Sequence, residues 1–472
     1  MLRPKILTPD ENHRRMTEAP VARLIATLAA PTIVSMLVTS FYNLADTAFV
    51  SRLGTQASGA VGVVFSLMAI IQAIGFTFGM GSGNYNSRLL GAKQRDKADI
   101  VFSTIFFSAF TAGLALTVVG LSLLKPFMRM LGATETILPY AMDYAGVILI
   151  GAPLMTTSFV MNTNLRSEGN AFLGMRGIAT GALLNVVLDP LFIFTFKMGI
   201  RGAAIATVLS QAVSFSILLY AFIGKQSNLH LRLRNVHLRW WIYQEVLRTG
   251  LPAFYRQGAA SLASIFLNVS AAPFGDAALA SMAIVNRVMM FLHSALIGFG
   301  QGFQPVAGFN WGAKRIDRLR KAYWFTLKTG IAAFIGLAVI GFSFAPLIMR
   351  LFIPTDPRVH EIGSLAMRLQ CLAMPLQAVS VVTSMLFQSV GRGREASVTA
   401  MARHGLFFIP LVLVLPQVFG LLGLQMSQPV SDLLTFLLSL ILGRSFLRWL
   451  QKMPGGMPDA PQGAKTEAFS ES

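Results

Sequence analysis

The chain has 472 residues, 54% of them hydrophobic and only 12% charged, with a mean hydropathy of +0.61. That balance excludes an ordinary soluble domain and describes a polytopic membrane protein. The formal net charge of +19 invites a nucleic-acid partner, but the basic residues sit in loops between apolar runs, where they act as topology signals beside anionic headgroups.

A helix needs roughly 20 apolar residues to cross the hydrocarbon layer. Runs of that kind fall at 22–53, 57–83, 100–124, 137–160, 172–196, 201–224, 249–272, 278–305, 323–349, 361–387, 399–418 and 420–444. The alternation of a β-barrel is absent, so the predicted fold class is an all-α polytopic membrane protein with twelve transmembrane helices. Ahead of the first run, MLRPKILTPDENHRRMTEAP lacks the apolar core of a cleaved signal peptide and is expected to stay as a polar tail, residues 1–21. Basic loops such as RLLGAKQRDK and WGAKRIDRLRK share one side with both ends of the chain. The positive-inside rule therefore predicts two cytoplasmic termini, in a bacterial inner membrane. A basic segment at 225–248 links two halves on that same side, with Trp240 and Trp241 at headgroup level. Residues 447–472, rich in Pro, Gly and polar side chains, are predicted to be a disordered cytoplasmic tail. The single cysteine, Cys371, excludes an intrachain disulfide.

Laid on itself with a shift of 221 residues, the sequence matches Pro31 to Pro252, Gly54 to Gly275, FGMG at 78–81 to FGQG at 299–302, and GAK at 91–93 to GAK at 312–314. Gly199 and Gly202 meet Gly420 and Gly423. Six helices (22–224) are thus followed by six related ones (249–446) in the same orientation. The halves differ in their polar residues: Asp46, Asn185 and Asp189 fall opposite Leu267, Leu406 and Pro410. A carboxylate in an apolar helix costs several kcal/mol unless paired, hydrated or protonated. Its restriction to the first half points to a specialised site there. Asn185 and Asp189, four apart, share one helical face, and Pro190 should bend the helix beside them. Carboxylate, amide and hydroxyl oxygens suit a hard cation, and a proton fits equally.

At these residues the sequence resembles the multidrug and toxic compound extrusion (MATE) family, in its DinF-type branch. The resemblance rests on APTIVSMLVTSFYNLADTAFVSRLG, LRSEGNAFLGM, NVVLDPLFIF, GFGQGFQPVAGFNWGAKR and FQSVGRGREA. It implies two six-helix lobes forming a V around a central cavity, and antiport in which H⁺ or Na⁺ drives export of small amphipathic, often cationic compounds. A flippase for a lipid-linked precursor or lipid is the alternative. The resemblance assigns cation coupling to Asp46, Asn185, Asp189 and Thr207, with support from Tyr144, Tyr42 and Asn43. Other branches carry a glutamate early in the seventh helix, where GLPAFYRQGAASLAS offers Arg256 and Gln257 instead.

Arg287 lies near the middle of the eighth run and is expected to face the interior, paired with Asp432. Arg256 is expected to snorkel, and His404 to sit near a cytoplasmic loop. No Cys/His metal spacing, G-x-S-x-G or P-loop is present, so an enzyme is not expected. The bilayer is the expected partner, with no cofactor beyond the coupling ion, no nucleic acid and no obligatory protein partner.

Overall fold

The computed structural model describes residues 7–354 and 356–452; the predicted disordered tail falls mostly outside them. Helix α1 (Pro9–Glu18) forms where only a polar tail was expected, because Thr8 and Glu11 close a reciprocal cap at 2.8 and 3.3 Å. The first lobe follows as α2 (Val21–Ser51), α3 (Thr55–Gly91), α4 (Arg95–Ser122), a short α5 (Leu124–Met130), α6 (Leu138–Ser167), α7 (Ala171–Pro190) and α8 (Gly199–Ile223). The second comprises α9 (Trp240–Ala271), α10 (Asp276–Gly312), α11 (Ile316–Phe352), α12 (Pro357–Val390), α13 (Gly393–Met401) and α14 (Phe408–Gln451). π-helical turns at Leu191–Thr195 and Ala402–Leu406 extend α7 and join α13 to α14.

Among the described residues, ten stretches are long and apolar enough to cross a bilayer, with 393–451 counted as one. Gly420 breaks that stretch (φ 58°, ψ −139°), a conformation open only to a residue without Cβ. Helix α9 is the remaining crossing, its apolar run interrupted by Arg256, Gln257 and Asn268. The twelve expected spans are therefore present. Several run beyond their apolar core, and α9 begins inside the segment predicted as linker. The duplication survives in the backbone: positive φ recurs at Gly54 and Gly275, Lys93 and Lys314, and Gly199 and Gly420.

The lobes meet on the side carrying α1 and the end of α14, here the basal side. The mirrored FGMG and FGQG blocks lie in this seam: a Cβ on Gly302 would strike Ala29, one on Gly81 would strike Val246, and one on Gly298 would come within 2.7 Å of Ile33 Cα. Small residues let the helices touch backbone to backbone. Thr32 Oγ1 donates to Gly298 O at 2.6 Å, Arg166 to Gln301 at 2.6 Å, and Arg88 pairs with Glu245 at 3.4 Å. The furthest such bond from the basal side joins Ser40 to Ser294 at 2.9 Å. Beyond it no hydrogen bond joins the lobes among the described residues, and the V opens.

Helix α1 straps this closed end. Asn12 donates to Glu168 O at 2.6 Å on the first lobe, while Asn310 donates to Met16 O at 3.2 Å and Arg318 to Ala19 O at 2.6 Å from the second. Met16, Leu24, Ile25 and Leu28 are buried in one apolar cluster with Phe303 and Val306 of α10. The interlobe linker folds onto the first lobe: Glu168 Oε2 accepts from Ser227 Oγ, Asn228 N and Leu229 N at 2.9, 2.7 and 3.2 Å. Burial pushes the Glu168 carboxyl up to about 7, against the pull of these donors. Trp240 is exposed, and Trp241 meets Tyr85 edge-on.

Candidate functional site

In the first lobe α7 packs against both α2 and α8, so polar interruptions on three helices can meet. The Asn185 amide donates to Asp189 Oδ1 at 3.1 Å and lies 3.3 Å from Thr207 Oγ1. All three are buried. Asp46 is half-buried and lies within electrostatic range of Asp189. Tyr144, fully enclosed, adjoins Asp46 and Thr207, and Tyr42 feels both carboxylates. Six of the seven predicted residues thus converge. The Asn43 side chain makes no hydrogen bond among the described residues, and its carbonyl accepts from Thr47 Oγ1 at 2.9 Å. The regular helix ends at Pro190 and continues as a π turn, closed by Phe196 N donating to Leu191 O at 2.9 Å. A π turn beside a buried carboxylate is a frequent mark of a functional position.

Four oxygens of this cluster, Asp46 Oδ1, Asn185 Oδ1, Asp189 Oδ2 and Tyr144 Oη, are buried without a hydrogen-bond partner. Three of them can only accept when the acids are ionised. A proton or a hard cation fits that donor set. Ser210, one turn after Thr207, adds another unpartnered buried hydroxyl. Next to the cluster, a cavity of about 30 Å³ is lined by Tyr42, Met68, Gln72, Met155, Phe159 and Gln211. Its two glutamines were missed in the sequence, although each interrupts an apolar run as Asn185 does.

The mirrored positions in the second lobe are not acidic: Leu267 is buried in an apolar core and Leu406 is exposed. That lobe nonetheless holds a polar network. Asp432, buried, accepts from Arg403 at 2.7 Å, Gln377 at 2.8 Å and Gln428 at 3.1 Å. His293 lies 3.3 Å from Gln377 and 3.2 Å from Arg403. The expected partner of Asp432 was Arg287, and this is corrected. Arg287 is exposed, seven residues before Ser294 on the face that meets α2, and there the lobes have already parted. Arg403 reaches Asp432 because the π turn directs it inward. Arg256 and His404 are half-buried and lie well inside the second lobe's helices rather than at their ends. Arg256 lies 16 residues past Trp240, about 24 Å along the axis, and His404 lies 11 residues past Gly393. Among the described residues, no cluster of three or more His, Cys, Asp or Glu could hold a metal ion.

The chain is 25% identical over 424 residues to the multidrug export protein MepA of Staphylococcus haemolyticus, covering 90% of this chain and 93% of that protein. Its fold matches an outward-facing structure of a multidrug resistance MATE transporter (TM-score 0.89, 26% identity, 95% of this chain and 100% of that one). It also matches a MOP superfamily transporter from Pyrococcus furiosus described as having a binding pocket of reverse polarity (TM-score 0.88, 26% identity, 94% and 99%). The MatE family model matches twice, at residues 31–191 and 252–414, once in each repeat. A duplicated twelve-helix V whose two halves each match that model is a transporter and not an enzyme: the chain belongs to the MATE family of the MOP superfamily.

Proposed function

We propose that this chain is a cation-coupled antiporter that exports small amphipathic compounds by alternating access, with Asp46, Asn185, Asp189 and Thr207 as the coupling site. The observation carrying this reading is the set of four unpartnered buried oxygens around two carboxylates in one lobe. An ionised Asp189 demands water or a cation; a protonated or ion-bound one lets α7 and its π turn close. Neutralisation then changes the relative stability of the lobe arrangements, and a one-unit pKa difference between them biases the equilibrium by about 1.4 kcal/mol. Tyr144, Tyr42 and Asn43 support the site or its substrate.

The excess of Lys and Arg in the loops of the basal side supports cytoplasmic termini in a bacterial cell, and with them a V that opens outward. Arg256 and Gln257, standing where other branches carry a glutamate, support the DinF-type assignment and leave coupling to the first lobe. Flux in proteoliposomes under separately imposed pH and Na⁺ gradients tests the proposal. One of the two gradients should drive accumulation, and flux indifferent to both would remove it. The flippase reading is favoured by one observation, the excess of basic groups in the second lobe. It requires transport that survives the loss of Asp46 and Asp189.

A further inference from the structure

The asymmetry that singles out the first lobe has a counterpart of opposite sign. Shifted by 221 residues, Arg256, His293, Arg403, His404 and Asp432 of the second lobe fall on Ser35, Gln72, Ala182, Leu183 and Gln211 of the first. None of those five is charged. Two of them, Gln72 and Gln211, line the cavity of about 30 Å³, so His293 and Asp432 occupy the place of a void in the other repeat.

The one acid here is fully engaged. Asp432 takes Arg403, Gln377 and Gln428 at 2.7–3.1 Å, which cancels the Arg403 charge and leaves the cluster positive through Arg256. Arg256 makes no ion pair or hydrogen bond among the described residues and is half-buried. It shares a face of α9 with Ala263 and Leu267, which pack in the second lobe's core. Helix α9 packs against the π turn that carries His404 and touches α10, which carries His293. A guanidinium held deep in a membrane lobe without a counter-charge is costly unless an anion visits it. On the same two helices, α9 and α10, Phe254, Met290 and Phe291 are exposed, so the lobe also offers apolar surface to the body attached to the anion.

We propose that the second lobe binds the anionic head, a carboxylate or phosphate-type oxyanion, of an amphipathic substrate, with Arg256 as its principal contact and His404 as a flanking N–H donor, while the His293 ring is held by Gln377 and Arg403 and walls the pocket. Arg403 is held away by Asp432 and shapes the pocket. The proposal names the substrate class for the antiporter reading above and rests on it only for transport; binding stands by itself. Substrates then carry an acid group, zwitterions included, and a purely cationic drug gains nothing from this lobe.

The full-length protein, in phosphatidylcholine nanodiscs, is titrated with 1-pyrenebutyrate and with the matched pyrenebutyl-trimethylammonium cation, following fluorescence anisotropy against empty nanodiscs. Arg256→Gln should weaken the carboxylate at least tenfold and leave the cation within twofold, while Arg256→Lys keeps most of the affinity. Asp432→Asn, which frees Arg403, should tighten the carboxylate; a purely structural role for this network predicts the reverse, and this variant serves if Arg256→Gln fails to fold. Adding phosphatidylglycerol separates the sources. Competition by it identifies a lipid headgroup as the occupant, and its absence identifies a free organic anion; either outcome supports the oxyanion site. Equal losses for both probes, or no carboxylate binding by the unmodified protein, would overturn it. Pyrenebutyrate binding is read without any imposed gradient, so flux indifferent to both gradients overturns the coupling reading and leaves this site standing, while absent carboxylate binding overturns this site alone.

Discussion

Asn185 and Asp189, four residues apart on α7, hold each other at 3.1 Å, and the same amide lies 3.3 Å from Thr207 on α8. One hydrogen-bond donor thus ties the carboxylate to a second helix while its other oxygen stays unpartnered. Asp189→Asn preserves the shape and removes the titration. The variant should reach the membrane at normal levels and lose gradient-driven efflux, as should Asp46→Asn. Leu267→Asp, at the mirrored position, should not restore it. Full flux through Asp189→Asn in proteoliposomes would make this aspartate a structural residue.

Arg403 and Asp432 form the most enclosed ion pair among the described residues, with side-chain exposures of 14% and 0%. Arg403→Met strands a buried carboxylate and should cost about 3–5 kcal/mol, whereas Arg403→Met with Asp432→Leu should recover most of that loss. Thermal unfolding of the detergent-solubilised variants reads the difference. A double variant no more stable than the single one contradicts the pairing.

The basal seam should respond to its bonds. Arg166→Met removes a charge-assisted hydrogen bond to Gln301, worth about 1.5–3 kcal/mol, and should shift the balance of lobe arrangements roughly tenfold or more toward basal opening. Gly298→Leu, placing a side chain against Ile33, should do the same more strongly. Distances between spin labels across the basal face measure both. Unchanged distributions would mean that the seam is held elsewhere.

Glu168 lies outside the spanning helices, and burial raises its carboxyl from the usual 4.5 to about 7. Between those values the unfolded chain has released the proton and the folded chain retains it. Stability from this group is therefore complete below about 4.5 and declines as pH rises toward 7, by about 1.4 kcal/mol per pH unit at most. Glu168→Gln keeps an acceptor for the linker amides and should flatten the melting temperature over that window. An equally sloped profile in the variant would assign the dependence to other groups.

Periodicity and apolar length made the twelve crossings legible, because the bilayer fixes how long each must be. They did not locate the helix ends. Helix α9 starts at Trp240 because polar residues extend a helix in water as readily as apolar ones do in lipid. The coupling cluster was legible because each member is a polar interruption in an apolar run, and Gln72 and Gln211 show that the rule reaches further than it was applied. The partner of Asp432 was not legible. Arg403 and Arg287 are both basic, and the choice between them depends on a π turn that no residue pattern announces. The capped helix α1 was written in T-x-x-E ahead of an amphipathic stretch, a signal hidden by reading the segment for apolarity alone.

Helix α1 also constrains the order in which the molecule is assembled. Its bonds to Asn310 and Arg318 span 294 and 299 residues of sequence, so these contacts cannot form until the eighth crossing has been made and the ninth has begun. Through most of synthesis it must wait in water with Met16 uncovered, and its polar composition keeps it soluble meanwhile. Docking then reports that the first helices of the second repeat have been inserted and brought against the first repeat. An epitope on α1 would be shielded only in completed molecules, which makes accessibility of this segment a readout of maturation during biogenesis.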